Sequence, residues 1–197
     1  MRTESSVNDP EAPPCDLADL INGRRTFHTI SRNHDGFSDM YRVDMTGPPS
    51  EPDLVRAHAH AVDEDGALRH VAHMLASASV QGMVERDIHV GLRAREAVAS
   101  TNIGSGIAIP HFIDIKVTEA RVVVITLESP IKWGSHEEPV DIVFGLSGTP
   151  QEPWRHVRSL AHLARLASLP GFAARLRDAR DDAALRRVFA EEATRHG

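Results

Sequence analysis

The sequence predicts an α/β domain whose central sheet is covered by helices on both faces. Two runs of mostly β-branched and aliphatic residues, 121–127 (RVVVITL) and 139–146 (PVDIVFGL), have the apolar character of buried strands. Amphipathic helical patterns precede these runs, and further helical patterns close the chain. Strands that alternate with helices bury both faces of a sheet, so this order of elements favours the α/β class.

Residues 1–53 differ from the rest of the chain and are predicted to form a partly disordered, accessory extension. They are polar, rich in proline and without sustained periodicity. They also contain too many apolar residues for a fully disordered segment, among them Phe27, Phe37 and Tyr41. The sequence therefore leaves open that part of this extension docks on the main domain.

The regular pattern begins at Leu54 with a strand and two helices. The stretch 54–62 alternates as a half-buried strand does, and Asp63 is a suitable N-cap for the helix that follows. Gly82 follows the end of this helix. A second helix is predicted from Glu85 to Val98, although Gly91 weakens that prediction.

The second half of the chain is predicted to hold three strands and three helices. Proline removes a ladder donor, so the strand 107–109 should stop at Pro110, with 112–117 as a connection. Glycine and proline favour turns at 130–134, around Trp133, and at 147–153. The remaining predicted elements are strands at 121–127 and 139–146, followed by helices at 154–168, 172–179 and 182–190, the last capped by Asp181 or Asp182.

Composition restricts the classes of protein and partner. The chain has 197 residues, 41% hydrophobic and 25% charged, which fits one globular domain with an additional short segment. It lacks the run of about 18 apolar residues that crosses a bilayer, and its N-terminus lacks the apolar core of a secretory signal. We therefore expect a cytoplasmic protein with no membrane insertion. A net charge of −6 disfavours nucleic acid as a partner, and the single cysteine, Cys15, excludes an internal disulfide.

The most specific stretch of the sequence ends at His111. Gly104-Ser105-Gly106 is a turn of small residues whose backbone N–H groups could face an anion. Pro110 should end the strand that follows, so that His111 points out of the sheet edge. A neutral imidazole is a competent nucleophile near pH 7. His111 is therefore a candidate phosphoryl acceptor, with a plain surface histidine as the alternative.

The stretch 95–111 (REAVASTNIGSGIAIPH) resembles the phosphohistidine motif of the type-2 EIIA domains of the bacterial phosphotransferase system, the fructose, mannitol and nitrogen-regulatory branch. The PVDIVF strand, and a helix that opens with a histidine, are also similar to this family. The resemblance covers residues 54–192 and leaves 193–197 as a tail. It implies a single domain with a central mixed β-sheet flanked by helices on both faces, and a phosphorylated histidine at a strand end.

The resemblance also implies partners and site residues. A phosphoryl group would come from HPr, or its nitrogen-branch counterpart, and pass from His111 to a cysteine of an EIIB domain in trans. His156 matches the second histidine of the family's site, and Arg95 matches the arginine that neutralises phosphoryl oxygens. Thr101 matches a threonine that would donate to a phosphoryl oxygen or to the imidazole. Glu96 is interpreted as a pairing or turn residue.

Each of these assignments has a structural alternative. Arg95 is also consistent with a surface ion pair, which contributes little to stability. Thr101 is also consistent with a cap or turn residue, and His156 with an exposed helix histidine. The three residues therefore rest on the resemblance rather than on residue type alone.

The sequence departs from the family pattern beside the predicted acceptor. Phe112 stands where the family usually has glycine, and a bulky side chain there is expected to narrow access for the donor. Asp114 and Glu152 are expected to add negative charge where a phosphoryl group must arrive. Phe112 keeps open a degenerate member that transfers nothing. A phosphorylation-dependent regulatory protein of the nitrogen type, which acts by binding a target protein, is a second alternative, because Cys15 lacks the context of an EIIB phosphocysteine loop.

A metal site is the remaining rival, because the chain has 12 histidines. His58 and His60 are predicted to share one strand face, and His70 and His73 share one helix face, spacings that can ligate zinc. The sequence has no cysteine pair and no HExxH motif to complete such a site. We therefore expect neither a metal nor another cofactor.

Overall fold

The computed structural model describes residues 54–79, 83–117 and 120–196. The predictions for residues 1–53 and for Gly82 lie outside the described residues. In chain order, the elements are β1 (Val55–Ala59), α1 (Glu64–Ser79), α2 (Glu85–Val98), β2 (Asn102–Gly104), β3 (Ile107–Ala108), β4 (His111–Ile113), β5 (Arg121–Ile131), β6 (Val140–Gly148), α3 (Pro153–Ala167), α4 (Phe172–Arg177) and α5 (Asp182–His196).

The strands form one mixed sheet in the order β1-β5-β6-β3-β2, and β4 also pairs with β6. The β1–β5, β3–β6 and β4–β6 pairs are parallel, whereas β2–β3 and β5–β6 are antiparallel. The predicted fold class, a mixed sheet flanked by helices, is confirmed. No helix in the described part of the chain combines the length and the apolar character needed to span a bilayer.

The sheet separates two apolar cores. One core packs α1 and α2 on the face that carries Val123 and Ile125, and the other packs α3, α4 and α5 on the face that carries Val122 and Val124. Adjacent residues of β5 point to opposite faces, and both faces are buried. This arrangement explains why the 121–127 run is apolar throughout rather than alternating.

Strand pairing resumes at His111, contrary to the predicted connection over 112–117. β3 and β4 lie end to end along β6, with His111 opposite Leu146. Proline lacks only the N–H group, and the Pro110 carbonyl still accepts a hydrogen bond from Leu146 N at 3.0 Å. Pro110 therefore interrupts the pairing without ending it, and His111 begins a strand.

The last helix and the fifth strand are longer than predicted. α5 continues to His196, through most of the predicted 193–197 tail, because Phe189 and Ala193 are fully buried against the second core. Asp181 caps this helix, since its Oδ1 accepts a hydrogen bond from Ala184 N at 2.8 Å. β5 runs past Pro130 to Ile131.

The first strand is shorter than predicted and contains a bulge. Its pairing with β5 shifts register between Arg56 and Ala59, and His58 has a φ of 52°. The strand ends before His60, so the predicted alternation that placed His58 and His60 on one strand face is wrong. Nε2 of His58 donates instead to the Ala179 carbonyl at 2.8 Å.

Candidate functional site

The imidazole of His111 is held by one hydrogen bond at each ring nitrogen. Nδ1 lies 2.8 Å from the Ile109 carbonyl, and Arg95 Nε lies 3.0 Å from Nε2. A carbonyl oxygen only accepts and an arginine N–H only donates, so Nδ1 carries the proton and Nε2 is the free base. The site thus presents the Nε2 lone pair, the form a nucleophile needs.

Arg95 reaches His111 from the last turn of α2. Its Nη1 donates to the Ala99 carbonyl at 2.8 Å, just beyond the end of the helix. This second hydrogen bond fixes the guanidinium plane beside the imidazole. The alternative of a surface ion pair is not what the structure shows, because Arg95 contacts the predicted acceptor itself.

His156 lies beside His111, on the first turn of α3. The two ring centroids are 5.3 Å apart, because β4 directs His111 toward the sheet face that α3 covers. His156 is only 4% exposed, and neither of its ring nitrogens has a hydrogen-bond partner among the described residues. An unpaired buried imidazole at a helix N-terminus, where backbone N–H groups also favour anions, is suited to an incoming anionic group.

Gly148 makes room for this second histidine. A Cβ atom at Gly148 would lie 2.3 Å from Nδ1 of His156, so the ring packs directly on the strand backbone. Any side chain at position 148 would therefore displace the imidazole. Sequence reasoning missed this role, although a glycine at the end of a buried strand was its available signal.

Electrostatics keep both imidazoles neutral at neutral pH. Burial lowers the pKa of His111 below the usual 6.5, and the Arg95 guanidinium lowers it further, against the opposing effects of the hydrogen bond to Ile109 and the charge of Glu96. Burial, with His111 and Arg95 nearby, lowers the pKa of His156 to about 4. Neutral Nε2 of His111 is therefore available as a base near pH 7.

Acid should destabilise the fold through His156. The unfolded chain binds this proton at the ordinary pKa of 6.5, whereas the folded chain binds it only near 4, so the free energy of unfolding falls as the pH drops through this window. This single group accounts for about 3 kcal/mol of the loss, which levels off below the lower pKa.

Urea unfolding near pH 7 and near pH 4, for wild type and His156→Gln, measures this contribution. We expect the acid-dependent loss to be smaller in the variant by about 3 kcal/mol, since glutamine does not titrate. An equal loss in both proteins would contradict the assignment to His156.

Thr101 is buried, and its hydroxyl is directed to Glu96. The hydroxyl donates to Glu96 Oε2 at 2.5 Å, and the Thr101 backbone N–H donates to Glu96 Oε1 at 2.8 Å. Trp133 Nε1 also donates to Oε1, at 3.0 Å. The structure thus brings His111, Arg95 and His156 together, and it places the Thr101 side chain in a supporting contact.

Phe112 does not narrow access to His111, contrary to the expectation from the sequence. Adjacent residues of β4 point to opposite faces, so the Phe112 ring is 5% exposed and packs in the core on the α2 side. Its Cδ2 would lie 3.3 Å from a Cβ on Gly91. The glycine that weakened the α2 prediction therefore provides space for this ring.

The two carboxylates near the site are engaged locally. Asp114 Oδ1 accepts a hydrogen bond from Lys116 N at 2.8 Å, and Glu152 Oε1 lies 3.2 Å from Arg155 Nε. The Glu152 charge is thus partly compensated by an arginine on the same helix turn.

The remaining candidate ligands for a metal are dispersed. His60 pairs with Glu128, His70 bonds the His60 carbonyl, and His73 pairs with Glu85. In the part of the chain that the structure describes, no group of three or more histidine, cysteine, aspartate or glutamate side chains is arranged to hold a metal ion.

The chain matches the family model for the phosphoenolpyruvate-dependent sugar phosphotransferase system, EIIA 2, over residues 50–192. A nitrogen regulatory protein of Bradyrhizobium diazoefficiens is 34% identical over 115 residues, which cover 58% of this chain and 75% of that protein. The transcriptional regulator ManR of Bacillus subtilis is 33% identical over 96 residues, which cover 49% of this chain but only 14% of ManR.

Solved structures show the same fold. The nitrogen regulatory protein IIA-Ntr of Neisseria meningitidis has a TM-score of 0.63 and 22% identity, with 71% of this chain and 95% of that chain covered. The complex of enzyme IIAMTL and phosphorylated enzyme IIBMTL from Escherichia coli gives a TM-score of 0.59 and 18% identity, with 71% and 95% covered. Because the family model spans most of the chain, this protein belongs to the EIIA type-2 family of the phosphoenolpyruvate-dependent sugar phosphotransferase system.

Proposed function

We propose that this protein is a phosphocarrier in which Nε2 of His111 accepts a phosphoryl group and hands it on. The observation that carries the proposal is the fixed protonation of His111, with Nε2 presented as a free base next to the buried, unpaired imidazole of His156. Family membership supports it. In this proposal residues 54–192 form the phosphocarrier domain and residues 1–53 an accessory extension.

Transfer to His111 requires no proton to leave Nε2. The Nε2 lone pair forms the new P–N bond while the donor's own P–N bond breaks and its electron pair stays on the donor imidazole. The proton stays on Nδ1 throughout, where it remains hydrogen-bonded to the Ile109 carbonyl. Arg95 Nε, which now bonds Nε2, is then free to bond a phosphoryl oxygen, and a tautomer of His156 with an N–H toward the group donates to another.

The donor and acceptor we propose are an HPr-like phosphocarrier and a cysteine of an EIIB domain. In the second transfer, a thiolate attacks phosphorus, and the P–N bond breaks with its electron pair returning to Nε2. The complex of IIAMTL with phosphorylated IIBMTL from Escherichia coli, whose IIA fold this chain shares, supports an EIIB partner by analogy. The same proposal has the protein act in the cytoplasm, where this system obtains its phosphoryl groups.

An exposed apolar surface around the site supports docking of such partners. Ile113, on the same face of β4 as His111, is 46% exposed, and Trp154 and Val157, on either side of His156, are 41% and 63% exposed. The Arg155 guanidinium lies 4.9 Å from the Trp154 ring centroid. Exposed aromatic side chains of this kind are enriched in protein interfaces.

A second candidate function is regulation by binding, with the phosphoryl group as the signal. It is favoured by the nitrogen regulatory proteins among the relatives, since the Bradyrhizobium protein is matched over 75% of its length and ManR over 14%. Onward transfer to an EIIB cysteine separates the two functions. A degenerate, non-transferring member is less well supported, because Phe112 does not obstruct the site.

The test is incubation of the full chain with phosphoenolpyruvate, enzyme I and HPr, followed by intact-mass analysis under alkaline conditions. We expect a mass gain of one phosphoryl group that is lost on mild acid treatment, as a phosphorus–nitrogen bond requires. Addition of an EIIB domain then distinguishes a carrier, which loses the group to the EIIB cysteine, from a regulator, which retains it. No mass gain with donors verified on a known EIIA protein would contradict both functions.

A further inference from the structure

The carboxylate of Glu96 is the acceptor for three hydrogen bonds that converge from two parts of the chain. Thr101 supplies its backbone N–H and its hydroxyl, and the fully buried Trp133 supplies its indole N–H. The first two bonds close the link between α2 and β2, and the third ties that link to the turn after β5. Glu96 thus fastens three segments at one point.

One of these segments leads to the Nδ1 side of the His111 imidazole. The Thr101 carbonyl accepts a hydrogen bond from Ile109 N at 3.0 Å, so the position of Thr101 sets the position of the Ile109 peptide. The carbonyl of that same residue accepts the Nδ1 proton of His111. Glu96 therefore influences Nδ1 of His111 through two contacts of the backbone, one between Thr101 and Ile109 and one between Ile109 and His111.

The other route leads to the Nε2 side. Glu96 follows Arg95 in the last turn of α2, and Arg95 Nη1 bonds the Ala99 carbonyl inside the link that Glu96 closes. If this link opens, Ala99 moves and the guanidinium loses its second anchor. Arg95 Nε is the donor at Nε2, so both hydrogen bonds of His111 depend on the same carboxylate.

We propose that Glu96 is a positioning residue that fixes the tautomer of His111 by holding both of its hydrogen-bond partners in place. The sequence interpretation of Glu96 as a pairing or turn residue describes its contacts but not this effect. The expected effect of Glu96 on the rate of phosphoryl transfer rests on the proposed function, whereas its effect on the His111 tautomer does not.

Two conservative variants separate position from charge. Glutamine at position 96 keeps the length of the side chain, its oxygen accepts both N–H groups, and the Thr101 hydroxyl reverses to accept from its amide nitrogen. Aspartate keeps the charge but is one methylene shorter, so its carboxylate cannot reach both Thr101 and Trp133. A positioning role predicts that Glu96→Gln behaves as wild type and Glu96→Asp does not. A role through charge predicts the reverse.

The experiment is 15N NMR of the histidine rings in unphosphorylated protein, followed by single-turnover phosphorylation by phospho-HPr. Wild type and Glu96→Gln should show His111 with the proton on Nδ1. Glu96→Asp and Glu96→Ala should show both tautomers, with the maximal single-turnover rate of phosphorylation lower by up to about 10²-fold and the phospho-HPr concentration that gives half of that rate unchanged. Glu64→Ala is the matched control, since its carboxylate accepts the Gly134 N–H at 2.6 Å beside Trp133 without contacting Thr101.

The proposal is overturned if Glu96→Asp retains the wild-type tautomer and rate, if Glu96→Gln loses them, or if Glu64→Ala loses as much as Glu96→Ala. If Glu96→Ala does not fold, the Gln and Asp variants decide the question. If the Glu96→Asp and Glu96→Ala variants change the His111 tautomer but wild type accepts no phosphoryl group, the positioning role of Glu96 stands and the proposed function is refuted.

Discussion

Replacing His111 by alanine is expected to abolish phosphoryl acceptance while leaving the fold intact. The substitution removes the only atom that would form the P–N bond, so no residual covalent acceptance is expected. The side chain is half-buried and loses two hydrogen bonds, to Arg95 and Ile109, which limits the stability cost to about 1–2 kcal/mol. Intact-mass analysis after incubation with phosphoenolpyruvate, enzyme I and HPr measures acceptance, and thermal unfolding measures the fold.

His73→Ala is the matched control for this prediction. His73 lies on α1, is largely exposed and pairs with Glu85 away from the site, so the variant should be phosphorylated as wild type is. Equal phosphorylation of wild type and His111→Ala would remove His111 as the acceptor.

Replacing His156 by alanine is expected to slow transfer through His111 by about 10²-fold. The substitution should impair transfer more than it impairs folding. The ring nitrogens of His156 have no partners among the described residues, so their removal breaks no hydrogen bond there. In the proposed transfer, the same ring donates to a phosphoryl oxygen, an interaction made only while the group is in the site. Quenched-flow measurement of single-turnover transfer from phospho-HPr gives the rate.

Gly148→Ala tests the same role by displacing the His156 ring instead of deleting it. Its new Cβ would lie 2.3 Å from His156 Nδ1, so the ring must move, and transfer should slow here as well. Wild-type rates in both variants would show that His156 has no part in transfer. A loss of folded protein that accounts for the lower rate would assign His156 a structural role only.

The fold was predictable from the sequence where local pattern and burial agree. The 121–127 run gave β5, and Asp63 marked the start of α1, because apolar runs and caps depend on residues close in the chain. The resumption of pairing at His111 was not predictable in this way. It depends on Leu146, which donates to the Pro110 carbonyl from a strand far along the chain.

The sequence predicted which residues lie together at the candidate site, but not the contacts that hold them in place. The resemblance named His111, Arg95, His156 and Thr101. The structure brings the two imidazole rings and the guanidinium together, and directs the Thr101 hydroxyl to Glu96 instead. The role of Glu96 depends on Trp133, whose indole arrives from the turn after β5. No periodicity in either segment relates the two residues, so only the folded chain reveals the contact.

Because β4 is pleated, the side chains of neighbouring residues point to opposite faces and have different roles. His111 and Ile113 face the side where we propose that a partner docks, while Phe112 between them packs against α2. Side chains adjacent in sequence are thereby insulated from one another by the backbone. Residue 112 is thus free to vary with the shape of the helix beneath it, and chemistry and packing can change independently within three consecutive residues.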